Sequence, residues 1–192
     1  MALSASQIEQ QRKEAEELLF SGPQKLGFAK GMFMGLFNAP VLFPYPRLRP
    51  DEEASTRASL QEVRNYCDTS IDAAAIDRDA LIPDSVIQGL ARIGVLGMTA
   101  PKEFGGRDFS QLAYTKVMEI IGGHCASTAV FVNAHHSIGI RALLLFGTKE
   151  QQAKWLPPLV DGSKLAAFAL TEVEAGSDAG NVQTTATPTE DG

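Results

Sequence analysis

The stretch "FALTEVEAGSD", Phe168–Asp178, holds the most informative chemistry of the chain. An apolar run, Leu165 to Leu170, stops at Thr171 and gives way to small and acidic residues and then to Gly176-Ser177-Asp178. A short apolar run bounded by turn residues predicts a buried strand over Leu165–Thr171, and the alternation in 182–187 predicts a second. At the end of the first, Leu170 offers an apolar side chain and backbone hydrogen-bonding groups, and Thr171 adds a hydroxyl. Ala175-Gly176-Ser177 removes bulk and permits a tight loop, whose N–H groups and Ser hydroxyl can meet an anion such as a pyrophosphate. A flat, partly apolar ring with a phosphate tail suits such a surface. A plain turn between two strands uses much the same residues, so the pattern leaves both readings open. Glu172 and Glu174 are close enough for a carboxylate pair, although acids in a loop are mostly solvated.

Upstream the patterning is helical. Ser6 and Glu9 make a capping-box pair ahead of a polar helix over Gln7–Leu19, which Ser21-Gly22-Pro23 ends. Phe28, Met32, Phe33, Leu36 and Phe37 recur at near-helical spacing, and Gly27, Gly31 and Gly35 form a second stripe at intervals of four. That pattern predicts a buried or substrate-proximal apolar face, with contact to a membrane surface as the other reading. Pro40, Pro44, Pro46 and Pro50 predict an extended connector. Asp51 is placed as the cap of a helix running towards Ile71, with Ala54, Ala58, Val63, Cys67 and Ile71 as its apolar stripe. Another helix is expected from Pro83, burying Val86, Ile87, Leu90 and Ile93 and stopped by Gly94. A loop with a Gly105-Gly106 turn follows, then a helix capped by Ser110 and reaching Ile121. Ser127 to Phe146 is long and apolar enough for a central helix buried on most sides, ended by Gly147. Thr148 and Gln151 repeat the capping box and open a short helix ending near Pro157.

Composition narrows the function. The 192 residues carry 17 Lys and Arg against 23 Asp and Glu, a net charge of −6 with no basic block. A nucleic-acid surface requires clustered cations, which this sequence lacks. Cys67 and Cys125 stand far apart in no metal-like spacing, so buried thiols in a reducing compartment are expected. The acidic N-terminal stretch resembles neither a secretory signal nor a mitochondrial presequence. No run is expected to reach the roughly 20 apolar residues a membrane span requires. His124, His135 and His136 lack the spacing of metal ligands, so no metal site is expected. No Gly-x-Ser-x-Gly elbow and no strand followed by Gly-x-Gly-x-x-Gly is present, which sets aside a hydrolase and a Rossmann nucleotide site.

"FALTEVEAGSDAGNVQTTA", 168–186, resembles the flavin-binding signature of the acyl-CoA dehydrogenases, in which an aromatic and two small or apolar residues precede Thr-Glu-Pro-x-x-Gly-Ser-Asp. "LGMTAPKEFGG", 96–106, is similar to the family's Pro-x-x-[Tyr/Phe]-Gly-Gly loop. "HHSIGIRALLLFGTKEQQAKWLPPLVDGS", 135–163, is similar to its helix, Gly-Thr and Leu-Pro segment. "FAKGMFMGLF" and "FPYP" resemble the entry segment of the very-long-chain branch. The resemblance implies a mainly α fold: an N-terminal extension over 1–50, the N-terminal helical domain over 51–164, and the first strands of the middle β-barrel domain over 165–192. It implies FAD as cofactor, with Phe168, Leu170, Thr171, Gly176 and Ser177 along it and Ser177 also touching the acyl-CoA. Val173 stands where the family has Pro; losing that rigid residue loosens the loop by about 0.4–1 kcal/mol through chain entropy, without removing a ligand group.

The implied reaction is α,β-dehydrogenation of a fatty acyl-CoA in β-oxidation, with electrons passing to an electron-transferring flavoprotein. The resemblance places the catalytic glutamate and a Trp-x-Ser segment beyond Gly192. No catalytic residue is therefore assigned here, and the chain alone is expected to be inactive. A homo-oligomer is implied, cytoplasmic in a bacterium or mitochondrial in a eukaryote. An acyl-CoA oxidase or related flavoenzyme, or a non-catalytic scaffold of the same fold, are the alternatives.

Overall fold

The computed structural model describes residues 27–189. The helix expected over Gln7–Leu19 lies outside them. The described residues divide into two compact units, one ending at Arg47 and the other beginning at Leu48.

In the first unit, α1 (Phe28–Phe33) and α2 (Ala39–Leu42, with Pro40 in its first turn) are short. The chain reverses at Gly35, φ 74°, and the Leu36 N–H donates to the Gly31 carbonyl. The predicted apolar face is not buried. Phe33 is 93% exposed and Met32 53%, Leu36 is exposed, and only Gly31 of α1 is buried. A six-residue helix that folds back after one and a half turns presents no continuous stripe for a partner to cover. Phe28 and Phe37 meet edge to face, with centroids 5.9 Å apart.

The second unit is a helical domain: α3 (Glu53–Ser70), α4 (Ala73–Asp79), α5 (Asp84–Arg92), α6 (Gln111–His124), α7 (Ala126–Ala134), a π-helical stretch (His135–Ile140), α8 (Arg141–Phe146) and α9 (Lys149–Val160). α3 packs on α6 and α6 on α7. Their shared core includes Val63, Cys67, Leu90, Leu96, Met98, Val117, Ile121 and Val132, all buried. A second core joins Ala100, Ile140, Leu156, Leu159 and Val160, with Phe104 and Ala166 against it. Both cysteines are free and buried, and burial pushes the Cys67 thiol up to about 11.

Caps set the helix ends. Ser110 Oγ accepts from the Ala113 amide at 3.2 Å and opens α6. Thr148 and Gln151 form the full capping box of α9, at 2.8 and 3.2 Å. Glu52, rather than Asp51, stands at the start of α3, and its carboxylate points inward. It accepts from the Arg49 amide (3.1 Å), Arg49 Nη2 (3.1 Å), the Ser110 amide (2.9 Å) and Ser110 Oγ (2.6 Å). Burial acts to raise this carboxyl, and the hydrogen bonds from Ser110 and Arg49 overcome it and bring the pKa down to about 2. The inward face of α3 is Thr56, Ser59, Val63 and Cys67, while Ala54 and Ala58 are exposed.

α6 runs on through Gly122 and Gly123 to His124, and α9 runs past Pro157 to Val160. Ala126–Phe146 is continuous helix, long and apolar enough to cross a membrane by length and composition. Here it packs within the helical domain along one side only: Thr128, Val132, His135, His136 and Ile140 are buried, while Val130, Leu145 and Phe146 are exposed. On α9, exposed Trp155 has Lys154 Nζ 4.9 Å and Lys164 Nζ 5.7 Å from its ring centroid.

Beyond α9 the expected strands, Leu165–Thr171 and 182–187, do not form among the described residues. A strand requires a neighbour whose backbone answers its own N–H and C=O groups. Here the two stretches are joined by a side chain: Glu172 accepts from the Gln183 amide (2.7 Å), the Thr184 amide (2.9 Å) and the Thr184 hydroxyl.

Candidate functional site: the loop after α9 and the histidine helix

The loop at Thr171–Asp178 closes on itself. The Glu172 amide donates to the Ala175 carbonyl at 3.0 Å, and the Ala175 amide donates back to Glu172 at 3.3 Å. Ala175 is fully buried, whereas Val173 is 99% exposed at the tip, where a proline ring would also find room. Hydrogen bonds from the Thr184 hydroxyl and the Gln183 amide hold the Glu172 carboxyl below its ordinary range.

Phe168 and Leu170 lead into this loop and Thr171, Gly176 and Ser177 lie on it, and all five are exposed. Neither the Thr171 nor the Ser177 hydroxyl is engaged by another described residue. A side chain added at Gly176 would meet nothing within 4 Å, so the backbone there is open to an incoming group. Exposed Phe168 and Leu170 supply the apolar part, and free hydroxyls and loop amides the polar part. That donor set fits a flat ring carrying a phosphate tail.

The preceding loop is shaped by glycine. Gly105 takes φ 87°, and a Cβ at Gly106 would stand 2.1 Å from the Ala100 carbonyl oxygen. This brings Arg107 back against α3 and α5, where it donates to the Ser59 hydroxyl and, at 2.7 Å, to the Ile93 carbonyl.

The adjacent histidines are both buried, and each has both ring nitrogens engaged. His136 Nε2 lies 2.7 Å from the Val95 carbonyl and Nδ1 2.8 Å from Thr99 Oγ1. Burial holds its pKa down at about 4. His135 Nε2 lies 3.0 Å from the Leu159 carbonyl, and the Ala166 amide donates to its Nδ1 at 3.2 Å. Burial lowers its pKa as well. His124 Nε2 meets the Ile71 carbonyl at 3.0 Å.

Sequence patterning did not indicate a cleft of about 490 Å³ between α6 and the π-helical stretch, lined by Thr99, Gln111, Tyr114, Asn133, His136 and Arg141 among others. None of the five loop residues lines it. Its only sequence signal is polar residues interrupting an apolar helix, at Asn133, His136 and Ser137. Tyr114 donates to Asn133 Oδ1 at 2.8 Å and meets His136 edge to face at 5.3 Å.

This helical domain is that of an acyl-CoA dehydrogenase N-terminal region: the chain belongs to the acyl-CoA dehydrogenase family, whose N-terminal domain matches residues 53–163. It is 41% identical over 185 residues to the "Probable acyl-CoA dehydrogenase FadE10" of Mycobacterium tuberculosis, covering 96% of this chain and 28% of that protein. It is 38% identical over 162 residues to the mitochondrial very long-chain specific acyl-CoA dehydrogenase of Homo sapiens, covering 84% of this chain and 25% of that protein. Among solved structures, an acyl-CoA dehydrogenase complexed with FAD from Bacillus anthracis aligns at a TM-score of 0.60 and 27% identity, over 68% of this chain and 23% of that chain. The chain thus spans 25–28% of the length of these two curated relatives.

Proposed function

We propose that these residues form the front portion of an FAD-dependent enzyme that dehydrogenates long-chain fatty acyl-CoA thioesters between the α and β carbons, within fatty acid β-oxidation. The observation that carries this is the Phe168–Asp178 loop, with its free Thr171 and Ser177 hydroxyls and open Gly176. Phe168 and Leu170 would line the flavin ring, Thr171 would donate to its polar edge, and Gly176 and Ser177 would hold the pyrophosphate. Ser177 would also touch the pantetheine arm of the substrate. Bound there, FAD would supply the acceptor for the hydride leaving the β-carbon. No acid of this chain is assigned to take the α-proton. In this reading the residues fall into an extension (1–50), a helical domain (51–164) and the start of a middle domain (165–192). The working enzyme would be a homo-oligomer passing electrons to an electron-transferring flavoprotein, in a bacterial cytoplasm or a mitochondrion.

The test is anaerobic flavin bleaching. The whole protein carrying these residues should lose flavin absorbance when mixed with a long-chain acyl-CoA, and residues 1–192 with excess FAD should not. Turnover-rate bleaching by residues 1–192 alone would place a base inside this sequence and overturn the assignment. No bleaching by the whole protein with any acyl-CoA would overturn the reaction.

A further inference from the structure

The stretch 165–171 carries the side chains assigned above to the flavin ring, yet it has little holding it. Among the described residues its sole hydrogen bond is from the Ala166 amide to His135 Nδ1, at 3.2 Å. The other nitrogen fixes the tautomer. His135 Nε2 faces the Leu159 carbonyl at 3.0 Å, and a carbonyl only accepts, so Nε2 bears the proton and Nδ1 offers its lone pair to Ala166. The ring is 1% exposed, so water does not compete for either contact. One turn further along the same helix, Gly139 gives Ala166 its seat: a Cβ at Gly139 would stand 2.1 Å from the Ala166 Cβ. Both residues belong to the π-helical stretch, a geometry that tends to accompany functional sites.

We propose that His135 is a positioning residue for the cofactor. Its Nδ1 fixes the register in which the chain leaves α9, and so sets where Phe168, Leu170 and Thr171 stand, with Gly139 keeping the place clear. This rests on the reading of Phe168–Ser177 as the flavin segment. Thr171 is five residues from the anchor, no more than about 18 Å along an extended chain, so an error at Ala166 is carried directly to it.

Two substitutions separate the two nitrogens. His135→Asn keeps an acceptor near the place of Nδ1 and loses the donor to Leu159. His135→Gln keeps a donor near the place of Nε2 and loses the acceptor for Ala166. Hydrogen exchange of the Ala166 amide is measured on residues 1–192, and FAD affinity by fluorescence titration on the whole protein. His135→Gln should release the Ala166 amide and weaken FAD about tenfold, the cost of one buried hydrogen bond, while His135→Asn stays within about threefold of the parent. Gly139→Ala, with His135 intact, should release the same amide.

A role confined to α9 would reverse the order, with Asn harmful and Gln benign, and would overturn the proposal. An Ala166 amide still protected in His135→Gln would also overturn it. If that amide is freed and FAD affinity is unchanged, while Thr171→Ala with Ser177→Ala does weaken FAD, positioning is wrong and the flavin reading stands. If neither set of changes alters affinity, the flavin reading itself has failed and the proposal with it.

Discussion

Replacing Glu52 by Gln should remove about 3 kcal/mol of stability at neutral pH. The carboxylate side chain is 4% exposed and accepts four hydrogen bonds, two from Arg49 and two from Ser110. A Gln of the same shape presents one oxygen and one NH₂, so two of the four donors lose their acceptor. At about 1.5–3 kcal/mol for each hydrogen bond to a charged group, the lower figure gives about 3 kcal/mol. The lowered pKa corresponds to the same order of magnitude: a carboxyl held at about 2 rather than 4.5 favours the folded ion by about 3 kcal/mol. The sign follows from the lowered pKa. The contribution is complete above the unfolded value near 4.5 and is lost as pH falls through about 2. Urea unfolding followed by circular dichroism, on parent and variant at neutral pH and at about pH 3, reads both effects. The midpoint should fall with an unchanged slope, and the gap between the proteins should narrow on acidification. A loss below about 1 kcal/mol, or a gap that does not change with pH, would refute the reasoning.

His136 stays neutral in the fold, with a pKa near 4 against 6.5, so the unfolded chain binds the extra proton; stability should fall as pH drops from about 6.5 towards about 4, and His136→Gln should flatten that slope in a urea series. Leu96 is fully buried, and Leu96→Ala should cost about 3 kcal/mol by urea midpoint. Thr171→Ala combined with Ser177→Ala should leave the melting temperature of residues 1–192 unchanged, because both side chains are exposed, and should weaken FAD retention of the whole protein in a titration.

Features carried by local chemistry were legible in the sequence. The Ser110 cap, the Thr148–Gln151 box, and the turns at Gly94 and Gly105 each depend on residues within a few positions of one another. Features carried by distant partners were not. Thr56 and Ser59 lie inward on α3 against an expected Ala54–Ala58 stripe, because the burial of that face is set by what packs on it rather than by apolar spacing. Glu52 reads as one more surface acid until Ser110, 58 positions away, closes on it. α4 buries only Ile76 of its seven residues and so shows no period, although Asp72 accepting from the Ala75 amide at 2.9 Å is a cap that could have marked it. The strand expected over Leu165–Thr171 rests on an apolar run and the one over 182–187 on alternation, and neither pattern specifies a neighbour. For the candidate site, residue types were visible in the sequence; the anchoring of their segment by His135 was not, because one side-chain nitrogen leaves no pattern along a chain.

The single tryptophan gives the fold an optical reporter. Trp155 sits on α9 with one ammonium from its own helix and a second, Lys164, from the segment that leads to Ala166. When that segment shifts, one positive charge leaves the indole face and the other stays, so emission colour and intensity should change without any label. Fluorescence can therefore follow the departure of residues 164–166 from α9 in real time, separately from melting of the helices.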